Sequence, residues 1–248
     1  MFVFNRIRTF YKVTNCKCKF NYHTLNNPTT SLIKKYPYSM NNFASQRSDS
    51  KQCWKCGLER KNTENLFCKE CNALQNPVEP NNYFKLFSLE EEFNIDSKQL
   101  HNIYRKLQSY LHPDKFSNKS DEEKEISANY SSLINKAYNN LQVPLKRAVH
   151  LLQLKGNKLN EDQKIDDPDF LMEMMELNEE FDDTDDVNKL KDLDIKNKNQ
   201  LENIVKQIDE CFKEGNLTQA KFYVIKMKYY ASLNNRINAR LRELGIVD

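Results

Sequence analysis

The chain has 248 residues, 39% of them hydrophobic and 29% charged, which is room for one large domain or two to three small ones. Only 4 glycines and 7 prolines are present, so the many turns of an all-β protein are excluded and an α-rich chain is predicted. No run approaches the roughly 18 apolar residues that span a bilayer, and we therefore expect no membrane partner.

Charge is distributed unevenly along the chain. Residues 1–48 contain eight basic residues and no acidic one, and the opening MFVFNRIR interleaves apolar and basic side chains. We interpret residues 1–48 as a mitochondrial transit peptide or disordered segment and expect a matrix protein, with a cytoplasmic pool left open. The alternative is a basic tail that binds nucleic acid or anionic lipid. The other 200 residues carry 30 basic and 35 acidic side chains, which disfavours a nucleic-acid partner.

Four cysteines form two C-x-x-C pairs within a short segment, residues 49–76, which is too small to fold by apolar burial alone. They are Cys53, Cys56, Cys68 and Cys71. Four thiolates at this spacing favour a structural Zn²⁺, and they leave no open coordination position for a catalytic one. A redox dithiol or two disulfides are the alternatives, although a thiol oxidoreductase would need a βαβ context that is not visible. Whether this segment also mediates dimerisation is left open, and a homodimer is one possible oligomeric state.

Helical periodicity begins after a proline-containing stretch at residues 76–80. One amphipathic stripe runs from Leu100 to Leu111, a second from Ile126 to Leu141, and a short third ends before Gly156. Residues 157–166 are polar and predict a linker. Residues 167–248 then predict a three-helix bundle that begins at Asp167 and Pro168.

The loop between the first two stripes carries the tripeptide His112-Pro113-Asp114, which we call the HPD loop. Arg105 and Lys106 precede it and Lys115 follows it. An ordinary helix stop is the alternative, but the arrangement resembles a J-domain, here residues 77–156, whose basic helix and loop engage DnaK-class chaperones. In that reading Pro113 fixes the loop, His112 braces it, and Asp114 offers a carboxylate to an arginine of the chaperone.

A wider resemblance follows from the motifs taken in order, which cover about residues 53–240. They are CWKCG, FCKECNALQ, YFKL, LQSYLHPDKF, NKAYNNLQVPLKRAVHLL and FLMEMMELNE. Together they resemble the eukaryotic HscB family. The resemblance implies a non-enzymatic co-chaperone of iron–sulfur cluster biogenesis with no catalytic residues. Its implied partners are an iron–sulfur cluster scaffold protein and a DnaK-class mitochondrial heat-shock chaperone, whose ATPase it would stimulate. A general J-domain co-chaperone for protein folding is the alternative, although the chain has no Gly-rich linker.

The same resemblance assigns the scaffold-binding residues, which we call the bundle patch. They are Leu171, Met172, Met175, Glu176, Glu179 and Tyr229. Helical spacing alone would favour a core role for the Leu and Met side chains. The family often has Phe at the position of Tyr229. Phe170, Met174, Leu177 and Phe181 are then left for the core of the bundle. The expected fold is all-α, a J-domain plus a C-terminal three-helix bundle with a small N-terminal zinc-knuckle module.

Overall fold

A computed structural model describes residues 52–60, 65–160 and 165–246, all of which belong to the unit Arg47–Asp248. The segment expected to be a transit peptide, residues 1–48, lies outside the described residues. Within the described ranges the protein has seven α-helices, and its β-structure is limited to the isolated bridges Gln52–Glu59 and Phe67–Leu74. The predicted all-α fold is confirmed. None of the described helices is both long enough and apolar enough to cross a membrane.

The first four helices have the arrangement expected for a J-domain. They are α1 (Tyr83–Leu86), α2 (Ser97–Leu111), α3 (Asp121–Leu141) and α4 (Pro144–Leu154). Helices α2 and α3 are antiparallel, because Tyr104 bonds to Asn135 while Gln108, one turn later, bonds to Ser131, one turn earlier. Between them a 3-10 turn, Pro113–Phe116, contains the last two residues of the HPD loop.

The ends of these helices are set by polar side chains. The Asp96 carboxylate accepts the backbone N–H groups of Lys98 and Gln99 at the start of α2, and Ser120 caps α3. The apolar stripes predicted for α2 and α3 then face each other. Their fully buried members include Leu100, Leu111, Ile134, Ala137 and Leu141.

The C-terminal part is a three-helix bundle of α5 (Pro168–Asp182), α6 (Val187–Lys213) and α7 (Leu217–Glu243). Helices α6 and α7 are joined by a tight turn at Gly215, whose φ of 73° is the left-handed conformation that glycine adopts without strain. Helix α7 also packs against α4, and the Phe93 ring lies 5.8 Å from Phe212 of α6. The bundle and the J-domain therefore share one continuous apolar core.

The acidic run at residues 182–186 is exposed except for Thr184, and two of its carboxylates have partners. Asp182 pairs with Arg236 and Asp185 pairs with Arg240, both on α7. The Tyr230 hydroxyl, also on α7, donates to the Glu173 carboxylate at 2.6 Å. These polar contacts hold α5 in a defined orientation on the bundle.

His150 on α4 anchors the short helix α1 and makes stability depend on pH. Its ring is buried, stacks on Tyr83 at 4.2 Å and accepts the Tyr83 N–H through Nε2 at 3.2 Å. Burial lowers the pKa of His150, although Glu91 acts in the opposite sense. The folded chain thus needs the neutral ring, whereas the unfolded chain protonates it near its ordinary pKa of about 6.5.

Stability should therefore fall as the pH drops below about 6.5 towards the lower folded-state pKa, because the unfolded state then binds the additional proton. The slope from this one group approaches about 1.4 kcal/mol per pH unit. We expect His150→Gln to remove that slope, as measured by urea unfolding between pH 5 and 7 (about the range in which histidine titrates). His101→Gln, at an exposed histidine of α2, is the matched control. Equal slopes for the parent chain and His150→Gln would contradict this assignment.

Candidate functional site

The tetracysteine module is built from two similar knuckles. In the first, the Gly57 N–H donates to the Cys53 carbonyl at 2.9 Å; in the second, the Asn72 N–H donates to the Cys68 carbonyl at 3.0 Å. The residue that closes each turn has a positive φ, 73° at Gly57 and 53° at Asn72. Glycine and asparagine tolerate that conformation best, which explains why each C-x-x-C is followed by one of them.

The four sulfur atoms lie where a tetrahedral metal ion would need them. All four lie within 4.8 Å of one another, with Cys53–Cys71 at 3.6 Å and Cys56–Cys68 at 3.8 Å between Sγ atoms. A zinc–sulfur bond of about 2.3 Å implies a tetrahedral edge of about 3.8 Å, whereas a disulfide would need about 2.05 Å. All four cysteines are free thiols. The donor set therefore fits one metal ion, and at these separations no two of the four sulfurs are joined as a disulfide.

The four sulfurs are close enough for each to affect the ionisation of the others. Burial opposes ionisation of Cys53, but backbone N–H groups of Cys56 and Lys55 lower its pKa to about 6. The Ala73 N–H favours the Cys71 thiolate, yet desolvation and the neighbouring sulfurs raise the pKa of Cys71 to about 12. Such crowding of negative charge is relieved by a divalent cation at the centre.

The module is packed on the J-domain rather than held apart from it. The side chain of Leu74 is fully buried in the shared core, and its carbonyl accepts the Trp54 indole N–H at 2.6 Å. The Leu74 N–H in turn donates to the buried Glu123 carboxylate of α3 at 3.4 Å. The proline-containing stretch at residues 76–80 thus joins two parts that touch.

The HPD loop is exposed and internally braced. The Asp114 side chain is 88% exposed, and the His112 Nδ1 atom lies 3.4 Å from the Asp114 N–H and 3.5 Å from its carboxylate. Behind the loop, Phe116 is buried and the Ser127 hydroxyl donates to the Leu111 carbonyl at 2.8 Å. The structure thus presents the Asp114 carboxylate to solvent from a fixed support.

The three basic residues predicted beside this loop are also exposed. Arg105 precedes His112 by seven residues, about two helical turns, so that both lie on one face of α2 and its continuation. Lys106 is adjacent on the same helix, and Lys115 follows Asp114 directly. None of these three cations has a partner among the ion pairs of the described residues.

Helical spacing alone could not tell which face of α5 is buried, and the structure decides this. Leu171, Met172 and Met175 are 38%, 59% and 64% exposed, while Phe170 and Met174 are 3% and 5% exposed. Leu177 and Phe181 are half-buried against the core. Three of the few exposed large apolar side chains in the described ranges therefore lie together on one face, which is characteristic of a binding surface.

The polar members of the bundle patch flank these side chains. Glu176 and Glu179 are exposed on the next turns of α5, four residues beyond Met172 and Met175 respectively. Tyr229 is half-buried on α7, with its ring edge-on to Phe170 at 5.5 Å. It therefore borders the first turn of α5, away from the two glutamates.

Two residues of the metal site were not predicted from sequence. The buried Gln75 side chain donates to the Cys53 Sγ atom at 3.3 Å, a contact that orients the sulfur, and Glu123 contacts the module from α3. Gln75 closes the second cysteine motif, but nothing in its position indicates a contact with the first. Glu123 lies in a Ser-x-x-Glu pattern, which indicates only a helix start.

Comparison with known proteins links these features to one group. The family model described as the HSCB C-terminal oligomerisation domain matches residues 166–238. The iron–sulfur cluster co-chaperone protein HscB of Mus musculus is 35% identical over 200 residues, covering 79% of this chain and 85% of the mouse protein. The Arabidopsis thaliana homolog is 33% identical over 178 residues, covering 72% and 69% of the two chains. The crystal structure of human co-chaperone HscB superimposes with a TM-score of 0.71 at 32% identity, over 76% of this chain and 98% of the human one.

Proposed function

The chain belongs to the HscB family of iron–sulfur cluster co-chaperones, and from that premise we propose that it brings a cluster scaffold protein to a DnaK-class mitochondrial heat-shock chaperone and stimulates the ATPase of that chaperone. The observation that carries this proposal is the exposed Asp114 carboxylate on its braced loop. Both ligands are proteins, and we assign no catalytic residue to the chain.

The chaperone contact is assigned to the HPD loop with Arg105, Lys106 and Lys115. Exposed cations on α2 would meet acidic side chains of the chaperone, while Asp114 would meet an arginine. Solvent-exposed charges at such a surface act mainly on the rate of association, and their effect weakens as salt rises. These residues dock the chaperone, and the residues that hydrolyse ATP belong to the chaperone.

The scaffold contact is assigned to the bundle patch. An apolar centre of Leu171, Met172 and Met175 with acidic neighbours Glu176 and Glu179 suits a partner surface that is apolar with a basic rim. Tyr229 would extend this surface from α7. The HPD loop and the bundle patch lie on different elements of one unit, so the two assigned surfaces share no residue.

The function is tested by affinity capture of the chain from a mitochondrial extract, with mass spectrometry of the captured proteins. We expect an iron–sulfur cluster scaffold protein and a DnaK-class chaperone. A broad set of unfolded clients without a scaffold protein would instead support the general J-domain alternative.

We also propose that the metal held by the four cysteines is Zn²⁺ with a structural role. Four thiolates in a tetrahedron suit zinc, although an iron–sulfur centre also uses four cysteines. When bound, the ion would cross-link two knuckles that have little apolar core of their own. The chain's own residues supply the four sulfurs, and Gln75 orients Cys53.

The purified chain should contain about one zinc per molecule by elemental analysis. Cys53→Ser combined with Cys56→Ser should lose the metal and unfold the module, while the helical signal in circular dichroism is retained. Cys211→Ser, at a buried cysteine of α6 outside the module, is the control and should keep the metal. Iron in place of zinc, or no metal at all, would contradict the assignment.

We propose mitochondrial import for residues 1–48, supported by their eight basic and no acidic side chains. We propose the same division of the rest as the sequence predicts, with residues 49–76 binding metal, 77–156 forming the J-domain, 157–166 linking, and 167–248 binding the scaffold. Isolated mitochondria should import the full chain and cleave it before residue 49. A chain that lacks residues 1–48 should stay outside the mitochondria.

A further inference from the structure

A buried carboxylate connects the metal module to the support of the HPD loop. Glu123 is only 3% exposed, and it occupies the third position of α3. Ser120 caps the helix by accepting the Glu123 N–H at 3.3 Å, which completes the Ser-x-x-Glu pattern. In a capping box the glutamate turns back to the N-cap backbone. Here Oε2 of Glu123 accepts the Ser120 hydroxyl at 3.5 Å, and the carboxylate also reaches the tetracysteine module.

The two carboxylate oxygens contact residues that adjoin both knuckles. Oε1 accepts the N–H of Leu74, three residues after Cys71, and Oε2 lies 3.6 Å from Nζ of Lys55, which stands between Cys53 and Cys56. One side chain of the J-domain therefore contacts a residue inside the first metal-binding turn and a residue just after the second. A buried carboxylate is stable only with such partners, so its position depends on the folded state of the module.

The opposite end of this connection is the loop that carries Asp114. Only eight residues separate Asp114 from Glu123, and this short segment contains the buried Phe116 and the cap Ser120. A cleft of about 210 Å³ separates the module from the loop support. It is lined by Phe67 and Asn72 of the module and by Tyr110, Lys115 and Phe116 of the J-domain. The second knuckle thus lies beside the 3-10 turn that includes Pro113 and Asp114 of the HPD loop.

We propose that Glu123 is a positioning residue through which the metal-bound module holds the HPD loop in its docking geometry. When the knuckles unfold, Lys55 and the Leu74 N–H leave the carboxylate, and the first turn of α3 must rearrange to hydrate it. Ser120 and Phe116 belong to that turn and the segment before it, so the support of the loop loosens. The effect on chaperone docking rests on the proposed function; the structural coupling does not.

The test uses the full chain with Glu123→Ala, Glu123→Gln and the control Glu122→Gln, which changes an exposed neighbour in the same turn. Glu123→Ala should keep its zinc, because no ligand is altered. Backbone hydrogen exchange over residues 113–121 should nevertheless accelerate about tenfold, a shift typical of a lost buried hydrogen bond. Glu123→Gln keeps an acceptor for the Leu74 N–H and should recover most of the protection. Glu122→Gln should match the parent chain.

In the ATPase assay Glu123→Ala should raise the concentration of the chain that gives half-maximal stimulation about tenfold, with unchanged maximal stimulation. A loss of folded protein would also raise this concentration, so the folded fraction of each sample is measured by circular dichroism and the concentration is expressed per folded chain. Cys53→Ser with Cys56→Ser, which leaves Glu123 intact, should accelerate exchange over the same residues. Adding Glu123→Ala to the cysteine variant should cause little further change, because both act through one connection.

Unchanged exchange over residues 113–121 in either Glu123→Ala or the cysteine variant would overturn the proposal, as would fully additive effects in the combined variant. Should Glu123→Ala fail to fold, the cysteine variant decides alone. A parent chain that does not stimulate the chaperone would refute the proposed function and not the coupling, since hydrogen exchange is measured without the chaperone.

Discussion

Asp114→Asn is expected to reduce stimulation of the chaperone ATPase to the basal rate while the fold and the scaffold affinity stay unchanged. The side chain is 88% exposed, so the neutral isostere costs almost no stability. It does remove the charge on which a charge-assisted contact with an arginine depends, and such contacts are about twice as strong as neutral ones. Single-turnover ATP hydrolysis by the chaperone, with and without the variant, is the measurement.

Asp121→Asn is the matched control, because Asp121 is an exposed aspartate in the first turn of α3, only seven residues further along the chain. It should stimulate as the parent chain does. Normal stimulation by Asp114→Asn would show that the loop is an ordinary helix stop, and the chaperone contact would then have to be sought elsewhere.

Replacing Leu171, Met172 and Met175 together by alanine is expected to weaken scaffold binding at least tenfold, about 1.4 kcal/mol, with a nearly unchanged melting temperature. All three side chains are exposed, so their truncation leaves no cavity. Burial of the same atoms would predict a cost of about 2–5 kcal/mol for each, which would unfold the bundle. Calorimetric titration with the scaffold and thermal unfolding by circular dichroism measure the two quantities.

Phe170→Ala and Met174→Ala are the controls from the opposite face of the same helix. Both side chains are buried, and Phe170 also packs against Tyr229 and Tyr230. These variants should lower the melting temperature through cavity formation and leave a measurable scaffold affinity at low temperature. Early melting of the triple variant together with normal stability of Phe170→Ala would mean that the patch lies elsewhere.

Much of this protein follows from its sequence without any tertiary information. The positions of the helices follow from it, because apolar periodicity and caps such as Asp96, Ser120 and Asp167 act within a few residues of the chain. The four cysteines proposed as metal ligands can also be found in the sequence, since a C-x-x-C turn brings its own two sulfurs together and the chain offers two such turns. The HPD loop is recognised from the tripeptide His112-Pro113-Asp114 between two predicted helices, with basic residues on both sides of it.

Contacts between distant segments were decided by the tertiary structure. Spacing places Met172 and Met174 on different sides of α5 but does not say which side faces the bundle; packing against α6 and α7 buries Met174 and exposes Met172. Glu123 has the sequence pattern of a helix cap, and only the approach of Leu74, 49 residues earlier, makes it a buried link to the metal module. Local propensity acts over one or two turns, whereas the partner of a buried charge is chosen by whichever distant backbone the folded core brings within hydrogen-bonding distance.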